Sequence, residues 1–307
     1  MMLEARGLVK RYGDVAAVDG VDICVDSGEV LGLLGPKGAG KTTAIHCMMG
    51  LTVPDSGEVT LDGDGRRIPA EKAKHLIGLV PQDIAVFEDL TAQENVTFFA
   101  RLYGLKGKAL ADGVAYALEC TGLSDKGKQK PKTFSGGMKR RLNIACALAH
   151  RPKLLIMDEP TVGIDPQSRN HILESVRMLH RENTAVLYTS HYMEEIEAVC
   201  TRVMIMDHGR MIASGTQGDL KALAGDEEVI SIELEHAAAG IEEALQRIAG
   251  VRSCRAEGTH LKITAERDTV RLNRIIETIS AEIVSVEVEK PSLESVFLTL
   301  TGRSLRD

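Results

Sequence analysis

A glycine-rich segment at residues 35–42 joins a short apolar run to a stretch with the composition of a helix. The apolar run covers residues 30–34, reads Val-Leu-Gly-Leu-Leu, and has the length of a buried strand. The segment itself fits the pattern G-x-x-x-x-G-K-[ST] at every fixed position, and it ends with Lys41 and Thr42. Strand, glycine-rich turn and helix in this order predict a phosphate-binding loop in an α/β fold rather than a chance turn.

The chemistry of phosphate binding explains these residue types. Glycine lets the backbone curl so that successive N–H groups point at phosphate oxygens, and a helix that begins near Lys41 adds the positive end of its dipole. We expect Lys41 to reach the β- and γ-phosphates of a nucleotide, and the hydroxyl of Thr42 to bind Mg²⁺. The residues that we predict to bind the nucleotide here are Gly35, Pro36, Lys37, Gly38, Ala39, Gly40, Lys41, Thr42 and Thr43.

Two adjacent carboxylates, Asp158 and Glu159, follow another apolar run at residues 154–157. Because the carboxyl ends of parallel strands form the ligand-binding edge of an α/β sheet, we expect both side chains to lie near the phosphates. Asp158 then suits an outer contact to Mg²⁺, and Glu159 suits polarising or deprotonating the attacking water. Alone, the pair would be interpreted as an acidic surface turn; together with the glycine-rich segment it favours a hydrolytic site.

Strand-like and helix-like segments alternate along residues 1–222, which predicts an α/β domain with a largely parallel sheet. Residues 226–307 follow the order β-α-β-β-α-β, which suggests a small α+β domain of the ferredoxin-like type. In the first domain we predict strands at 30–34, 59–61, 75–80, 153–157, 185–189 and 203–206, and helices at 41–49, 91–103, 137–149 and 166–180. In the second domain we predict strands at 228–235, 251–256, 260–265 and 283–288, and helices at 239–248, 268–279 and 293–300.

Composition and charge narrow the classes of function. Lys and Arg total 37 against 44 Asp and Glu, a net charge of -7, whereas a protein that binds mainly nucleic-acid phosphates carries a basic balance. No stretch approaches the ~18 consecutive apolar residues that span a bilayer, and the N-terminus has no signal-peptide hydrophobic segment. We therefore expect no nucleic-acid partner and a cytoplasmic chain, for which any membrane role requires a partner.

The helix predicted before the carboxylates begins at a serine and two glycines. Ser135, Gly136 and Gly137 match the signature of the ATP-binding-cassette family, usually Leu-Ser-Gly-Gly-Gln, which this segment resembles; Phe134 and Met138 depart from its commonest form. A serine hydroxyl and bare glycine N–H groups at a helix N-terminus suit a second phosphate site. The resemblance implies that this turn faces the γ-phosphate bound by the other subunit of a dimer.

Four further landmarks of that family stand in its usual order. Tyr12 stands where an aromatic residue stacks on adenine, and Gln82 matches the glutamine that contacts Mg²⁺ and senses the transmembrane partner. Residues 163–166, Gly-Ile-Asp-Pro, resemble the loop that contacts the opposite subunit, and His191 matches the histidine that holds the γ-phosphate. The resemblance thus implies ATP and Mg²⁺ as cofactors, the catalytic residues Glu159, His191, Lys41 and Gln82, and the metal ligands Thr42, Gln82 and Asp158.

One position in the phosphate-binding loop departs from the family pattern, because Lys37 stands where the family usually carries Asn. A positive charge close to the phosphates could strengthen nucleotide binding or slow product release. Alternatively, the ammonium points to solvent and has no effect on the nucleotide.

The end of the chain, residues 291–303, resembles the tail of drug-resistance and polyketide-antibiotic exporter ATPases, the DrrA-like branch of the family. The resemblance implies an ATP-hydrolysing exporter subunit, peripheral at the cytoplasmic face of the membrane, with a second copy of itself and a separate permease as partners. Residues 226–307 would then be a regulatory or dimerisation domain, or a scaffold. The alternatives are a soluble cassette ATPase that remodels a nucleic acid or a protein complex, and a regulator that binds ATP without turnover.

Overall fold

The computed structural model describes residues 2–63, 65–223, 227–237, 240–266, 269–289 and 292–301. The chain divides between Gln217 and Gly218 into two compact units. Within the described ranges, no helix combines the length and the apolar composition that a membrane crossing requires.

The first unit is a mixed α/β unit. Its strands are β1 (Leu3–Tyr12), β2 (Val15–Val25), β3 (Val30–Leu34), β4 (Ser56–Gly63), β5 (Arg66–Pro69), β6 (Ile77–Val80), β7 (Leu154–Met157), β8 (Ala185–Ser190), β9 (Arg202–Asp207) and β10 (Arg210–Gly215). Its helices are α1 (Lys41–Met48), α2 (Ala92–Leu102), α3 (Gly107–Cys120), α4 (Gly136–Leu148), α5 (Pro166–Arg181) and α6 (Met193–Val199), and α7 (Gln217–Leu223) begins at the division between the units.

The main sheet of the first unit has the strand order β10-β9-β3-β8-β7-β6. All neighbours from β9 to β6 pair in parallel, and β10 pairs with β9 antiparallel. Strands β3, β7 and β8 are buried along their whole length, which is why the sequence shows continuous apolar runs there instead of alternation. Because the strands are parallel, the carboxyl ends of β3, β6, β7 and β8 meet at one edge of the sheet.

A second sheet, with the order β2-β1-β4-β5, is antiparallel. One apolar cluster joins this sheet, α1 and the main sheet, and it includes Leu8 of β1, Ile45 of α1 and Leu31 of β3. Burying a Leu or Ile side chain of this kind contributes about 1.5–3 kcal/mol. The shared core therefore fixes α1, and with it the loop that precedes it, against both sheets.

The predicted elements of the first unit are confirmed to within a few residues, with one exception. Helix α2 begins with a capping box, in which the Thr91 hydroxyl accepts from the Glu94 N–H while the Glu94 carboxylate accepts from the Thr91 N–H. The strand predicted over residues 75–80 is wrong at its start, because Lys74–Leu76 form a 3₁₀ turn that precedes β6.

The second unit contains one antiparallel sheet with the order β12-β13-β11-β14. Its elements are β11 (Glu227–Leu234), α8 (Ile241–Gln246), β12 (Val251–Glu257), β13 (His260–Glu266), α9 (Leu272–Thr278), β14 (Ile283–Glu289) and α10 (Leu293–Thr301). Ile230, Leu245 and Ile275 belong to its own apolar core. The predicted order β-α-β-β-α-β is confirmed. The predicted helix starts at Ala239 and Asp268, and the tail residues Pro291, Gly302 and Arg303, lie outside the described residues.

Candidate functional site

A cavity of about 730 Å³ lies at the edge where the parallel strands of the main sheet end. Its walls come from the loop between β3 and α1 and from the segments that follow β6, β7 and β8. The predicted site residues that line it are Lys37, Gly38, Ala39, Gly40, Lys41, Thr42, Thr43, Gln82, Glu159 and His191. The fold thus brings together residues that lie far apart in the chain, from Lys37 to His191.

The loop before α1 requires glycine at Gly40, which is the N-cap of that helix. Its φ is +103°, and a Cβ atom built there would lie 2.0 Å from the Ala17 carbonyl oxygen. Both the backbone conformation and the close approach of β2 exclude a side chain. The loop is therefore held in a curled form that only glycine can adopt at this position.

Lys41 is buried, and its ammonium donates hydrogen bonds to the carbonyls of Gly35 at 2.6 Å and Pro36 at 3.1 Å. The same Nζ atom lies 3.7 Å from Oε1 of Glu159. Burial lowers the pKa of Lys41, while the nearby carboxylates of Glu159 and Asp158 oppose that effect. A partly desolvated ammonium in this place is a strong electrostatic partner for a phosphate group.

Asp158 connects the phosphate-binding loop to β8. Its Oδ2 accepts a hydrogen bond from the Thr42 hydroxyl at 3.0 Å, and its Oδ1 accepts one from the Thr189 hydroxyl at 2.8 Å. Together with Gln82 on the cavity wall, Thr42 and Asp158 supply hydroxyl, carboxylate and amide oxygens. These residues fit Mg²⁺, a hard cation that takes few protein ligands and fills its octahedron with phosphate and water oxygens.

Glu159 adopts a left-handed backbone conformation, with φ of +46°. Such a conformation costs a non-glycine residue about 1–3 kcal/mol and persists only where its surroundings impose it. Here the Glu159 N–H donates to the Thr189 hydroxyl oxygen at 2.8 Å, and the carboxylate lies 3.5 Å from Nδ1 of His191. The strained turn therefore directs the carboxylate into the cavity, between His191 and Lys41.

Three of the predicted nucleotide-binding residues of the first strand and loop lie outside the cavity lining. Gly35 and Pro36 contribute the carbonyls that bind Lys41. Tyr12, at the end of β1, is 55% exposed, and the Lys10 ammonium lies 5.7 Å from the centre of its ring. The ring is accessible to a planar partner but is not part of the cavity wall.

The predicted second phosphate site also lies outside this cavity. Ser135 is the N-cap of α4, and its hydroxyl oxygen accepts from the Met138 N–H at 3.2 Å. Ser135 and Gly136 are exposed, whereas Gly137 is buried against Ser168, which a Cβ atom at Gly137 would approach within 2.0 Å. Within one chain the Ser-Gly-Gly turn and the phosphate-binding loop therefore do not line a common cavity.

Helix α4 holds the loop that begins at Gln82. The buried guanidinium of Arg140 donates to the carbonyls of Pro81 at 2.8 Å and Gln82 at 2.5 Å. Further along the loop, Oδ1 of Asn143 accepts from the Ala85 N–H at 3.2 Å. The helix that starts with the Ser-Gly-Gly turn is thus fastened directly to the backbone beside the cavity.

The loop after Gln82 presents apolar side chains to solvent. Phe87 is 46% exposed, and its ring packs edge-to-face on Phe98 of α2, with 5.0 Å between ring centres. Ile84 and Phe98 are exposed as well. Exposed apolar residues that are grouped in this way are typical of interaction surfaces.

Several residues that shape the site were not predicted from the sequence. Ala17, Val162 and Tyr192 line the cavity, and Thr189 holds both Asp158 and the Glu159 backbone. The only sequence signal for Tyr192 and Thr189 is their position beside His191. Val162 and Ala17 form part of the cavity wall and carry no reactive group, so no sequence motif identifies them.

Comparison with known proteins agrees with this geometry. Residues 18–162 match a family model described as "ABC transporter". The chain is 45% identical to the linearmycin resistance ATP-binding protein LnrL of Bacillus subtilis (strain 168), an alignment that covers 100% of both chains. It is 36% identical to the daunorubicin/doxorubicin resistance ATP-binding protein DrrA of Streptomyces peucetius, over 99% of this chain and 94% of that relative. A solved ATP-binding subunit of an ABC transporter superposes with a TM-score of 0.64 and 30% identity, over 72% of this chain and 92% of the other.

Proposed function

Since the chain belongs to the ABC transporter family and is one of its ATP-hydrolysing subunits, we propose that it powers export through a separate permease at the cytoplasmic face of a membrane. The observation that carries this proposal is that Gln82 both lines the cavity and opens a loop with an exposed apolar surface. The names of LnrL and DrrA, which refer to resistance against linearmycin, daunorubicin and doxorubicin, support export of a small organic molecule.

Nucleotide binding is assigned to the loop before α1. The N–H groups of residues 38–42 and the Lys41 ammonium bind the phosphates, and the adenine stacks on the exposed ring of Tyr12. Thr42, Asp158 and Gln82 would hold Mg²⁺, which would supply positive charge to neutralise the phosphates. The hydrogen bonds that Asp158 accepts from the hydroxyls of Thr42 and Thr189 support this proposed role.

Hydrolysis is assigned to Glu159 and His191. The oxygen of a water molecule bonds to the γ-phosphorus while the bond from that phosphorus to the bridging oxygen of ADP breaks, and Glu159 accepts a proton from the water. His191 donates a hydrogen bond to a γ-phosphate oxygen. The left-handed turn at Glu159 supports this assignment, because it fixes the carboxylate before the reaction begins.

A second copy of the chain completes the site. Ser135 and Gly136 are exposed at the N-terminus of the thirteen-residue helix α4, and they do not reach the cavity of their own chain. Two copies that face each other would place each Ser-Gly-Gly turn on the γ-phosphate in the partner's cavity. ATP then joins the two copies, and hydrolysis removes the bridging phosphate so that they separate.

The motion reaches the permease through the loop that follows Gln82. Arg140 fastens this loop to α4, so a displacement of the Ser-Gly-Gly turn moves the Gln82 backbone as well. Ile84 and Phe87 then carry the displacement to an apolar segment of the permease. Residues 226–307 serve in regulation or in holding the two copies together.

A photo-cross-linking amino acid at Phe87 tests the proposal in intact membranes. We expect a covalent adduct with an integral membrane protein, and we expect purified vesicles with both chains to export substrate only with ATP. The same probe at Val53, which is 74% exposed on the first unit, serves as the control and should give no such adduct. Adducts with RNA, DNA or a soluble complex instead, together with ATPase stimulation by them, would support the soluble remodelling ATPase.

A further inference from the structure

A buried carboxylate outside the cavity lies among the segments that carry the catalytic residues. Glu195, in α6, is 1% exposed. Its Oε2 accepts hydrogen bonds from the hydroxyls of Thr161 at 2.7 Å and Ser190 at 2.8 Å. The Tyr188 hydroxyl donates to the same oxygen at 3.0 Å. A carboxylate that accepts several hydrogen bonds in a buried place holds its partners firmly, because leaving any of them unpaired is costly.

The second oxygen of this carboxylate faces a cation. Oε1 of Glu195 lies 3.2 Å from Nε of Arg169. Arg169 stands in the first turn of α5, whose N-cap is Asp165. The carboxylate thus connects α6 to the start of α5, which follows the loop at residues 163–166.

Two routes lead from this cluster to His191. Ser190 donates to Glu195 and accepts from the Tyr192 N–H at 2.9 Å, so the residues on both sides of His191 are fixed. In addition, the Tyr192 ring contacts the His191 ring on one side, with 4.2 Å between ring centres. The Arg169 guanidinium lies 4.8 Å from the centre of the same Tyr192 ring.

A third route leads to Glu159. Thr161 follows Glu159 by two residues, and its hydroxyl is anchored on Glu195. The Glu159 backbone is strained, so its conformation depends on the contacts that hold the following residues. The carboxylate of Glu195 therefore contacts the segments on which His191 and Glu159 stand, and touches neither of the two.

We infer that Glu195 is a positioning residue for ATP hydrolysis. It holds the side chains of His191 and Glu159 in a fixed arrangement, and it connects that arrangement to the N-terminal turn of α5. The inference rests on the proposed roles of His191 and Glu159. Because the loop at residues 163–166 is expected to face the second copy, the link through Arg169 makes the catalytic geometry sensitive to the presence of that copy.

The full-length chain with E195Q tests this inference. Glutamine keeps the size of the side chain and one oxygen acceptor but removes the charge that faces Arg169. We expect kcat for ATP hydrolysis to fall about 10- to 100-fold, the effect of a small displacement of catalytic groups, while KM for ATP stays within about twofold of the parent value. The matched control is E194Q, because Glu194 is the exposed neighbour on the same helix and should leave kcat unchanged.

A double-mutant cycle separates positioning from mere structural support. Because Glu195 is inferred to position His191 and Glu159, part of its effect is already lost in H191A, so the loss of activity in H191A/E195Q should be smaller than the product of the two single losses. Losses that multiply, or an E195Q variant with the kcat of the parent, would overturn the inference. If H191A hydrolysed ATP at the parental rate, that result would contradict the proposed catalytic site and the inference that rests on it.

A milder variant keeps the test decisive if E195Q fails to fold. S190A removes one hydroxyl, the group that joins Glu195 to the Tyr192 N–H. We expect S190A to lower kcat severalfold with KM for ATP unchanged. An S190A variant that folds and retains the parental kcat would contradict the proposed link.

Discussion

The ammonium of Lys41 and the carboxylate of Glu159 face each other in the cavity, with 3.7 Å between Nζ and Oε1. This pair joins the loop after β3 to the turn after β7, so two separate motifs act as one electrostatic unit. In the proposed mechanism, a phosphate group offers Lys41 a second anionic partner, which leaves Glu159 available for the attacking water. We therefore expect this ion pair to connect nucleotide binding to the proposed catalytic role of Glu159.

Substitution G40A should abolish ATP binding. The added Cβ atom would meet the Ala17 carbonyl oxygen at 2.0 Å in a backbone with φ of +103°, so the loop must change shape. Gly38 provides a matched control, because its φ is +83° but nothing lies within 4 Å of an added Cβ atom. G38A should lose only about 1–2 kcal/mol of stability from backbone strain and retain measurable ATP binding by calorimetry. Equal nucleotide affinities for the two variants would contradict the steric argument.

Substitution K37N should weaken the binding of ADP. Lys37 lines the cavity, so we expect its charge to attract the phosphates and its removal to raise Kd about three- to tenfold at low salt, which corresponds to about 1 kcal/mol of screened attraction. The difference between parent and K37N should shrink as ionic strength rises. A Kd that is the same for both chains at low salt would mean that the Lys37 ammonium points to solvent.

His150 should make the folded chain less stable as the medium becomes acidic. Its ring stacks on Tyr103, Nε2 bonds to the Ile77 carbonyl, and burial lowers the pKa of His150 to about 4. Below about pH 6.5 the unfolded chain binds a proton that the folded chain rejects until about pH 4, so stability falls across this window.

The measurement is the unfolding free energy at several values of pH. In H150Q the loss of stability between pH 6.5 and 4.5 should be smaller than in the parent by about 1–2 kcal/mol. Identical slopes for the parent and H150Q would show that His150 does not reject a proton on folding.

The parts of the site that could be predicted from the sequence are those whose functional residues lie next to one another in the chain. The phosphate-binding loop stands between β3 and α1 as one uninterrupted pattern, and Asp158 and Glu159 follow β7 directly. Such motifs can be recognised in the sequence because the strand, the turn and the helix fix the direction of the side chains locally.

The contacts that were missed join residues far apart in the chain. Arg140 binds the carbonyl of Pro81, 59 positions away, and Glu195 binds Thr161, 34 positions away. A buried Glu and a buried Arg look in the sequence like surface charges of a helix, because burial depends on tertiary packing. Only the fold shows that each has hydrogen-bonding partners in a second segment.

Two kinds of secondary structure also escaped prediction. Strands β1 and β2 pair with several register shifts, so the alternation of apolar and polar residues is interrupted. Helix α3 begins at Gly107 after Lys106, without a side-chain cap, so it lacks the usual start signal. In both cases packing in the folded chain outweighs weak local signals.

The central claim, that two copies close over shared ATP and that Glu159 is needed to separate them, is tested most directly by the mass in solution of E159Q. We predict that analytical ultracentrifugation of the full-length variant gives twice the chain mass with ATP and Mg²⁺, and the single chain mass with ADP. A variant that binds ATP but keeps the single chain mass at every protein concentration tested would contradict the account.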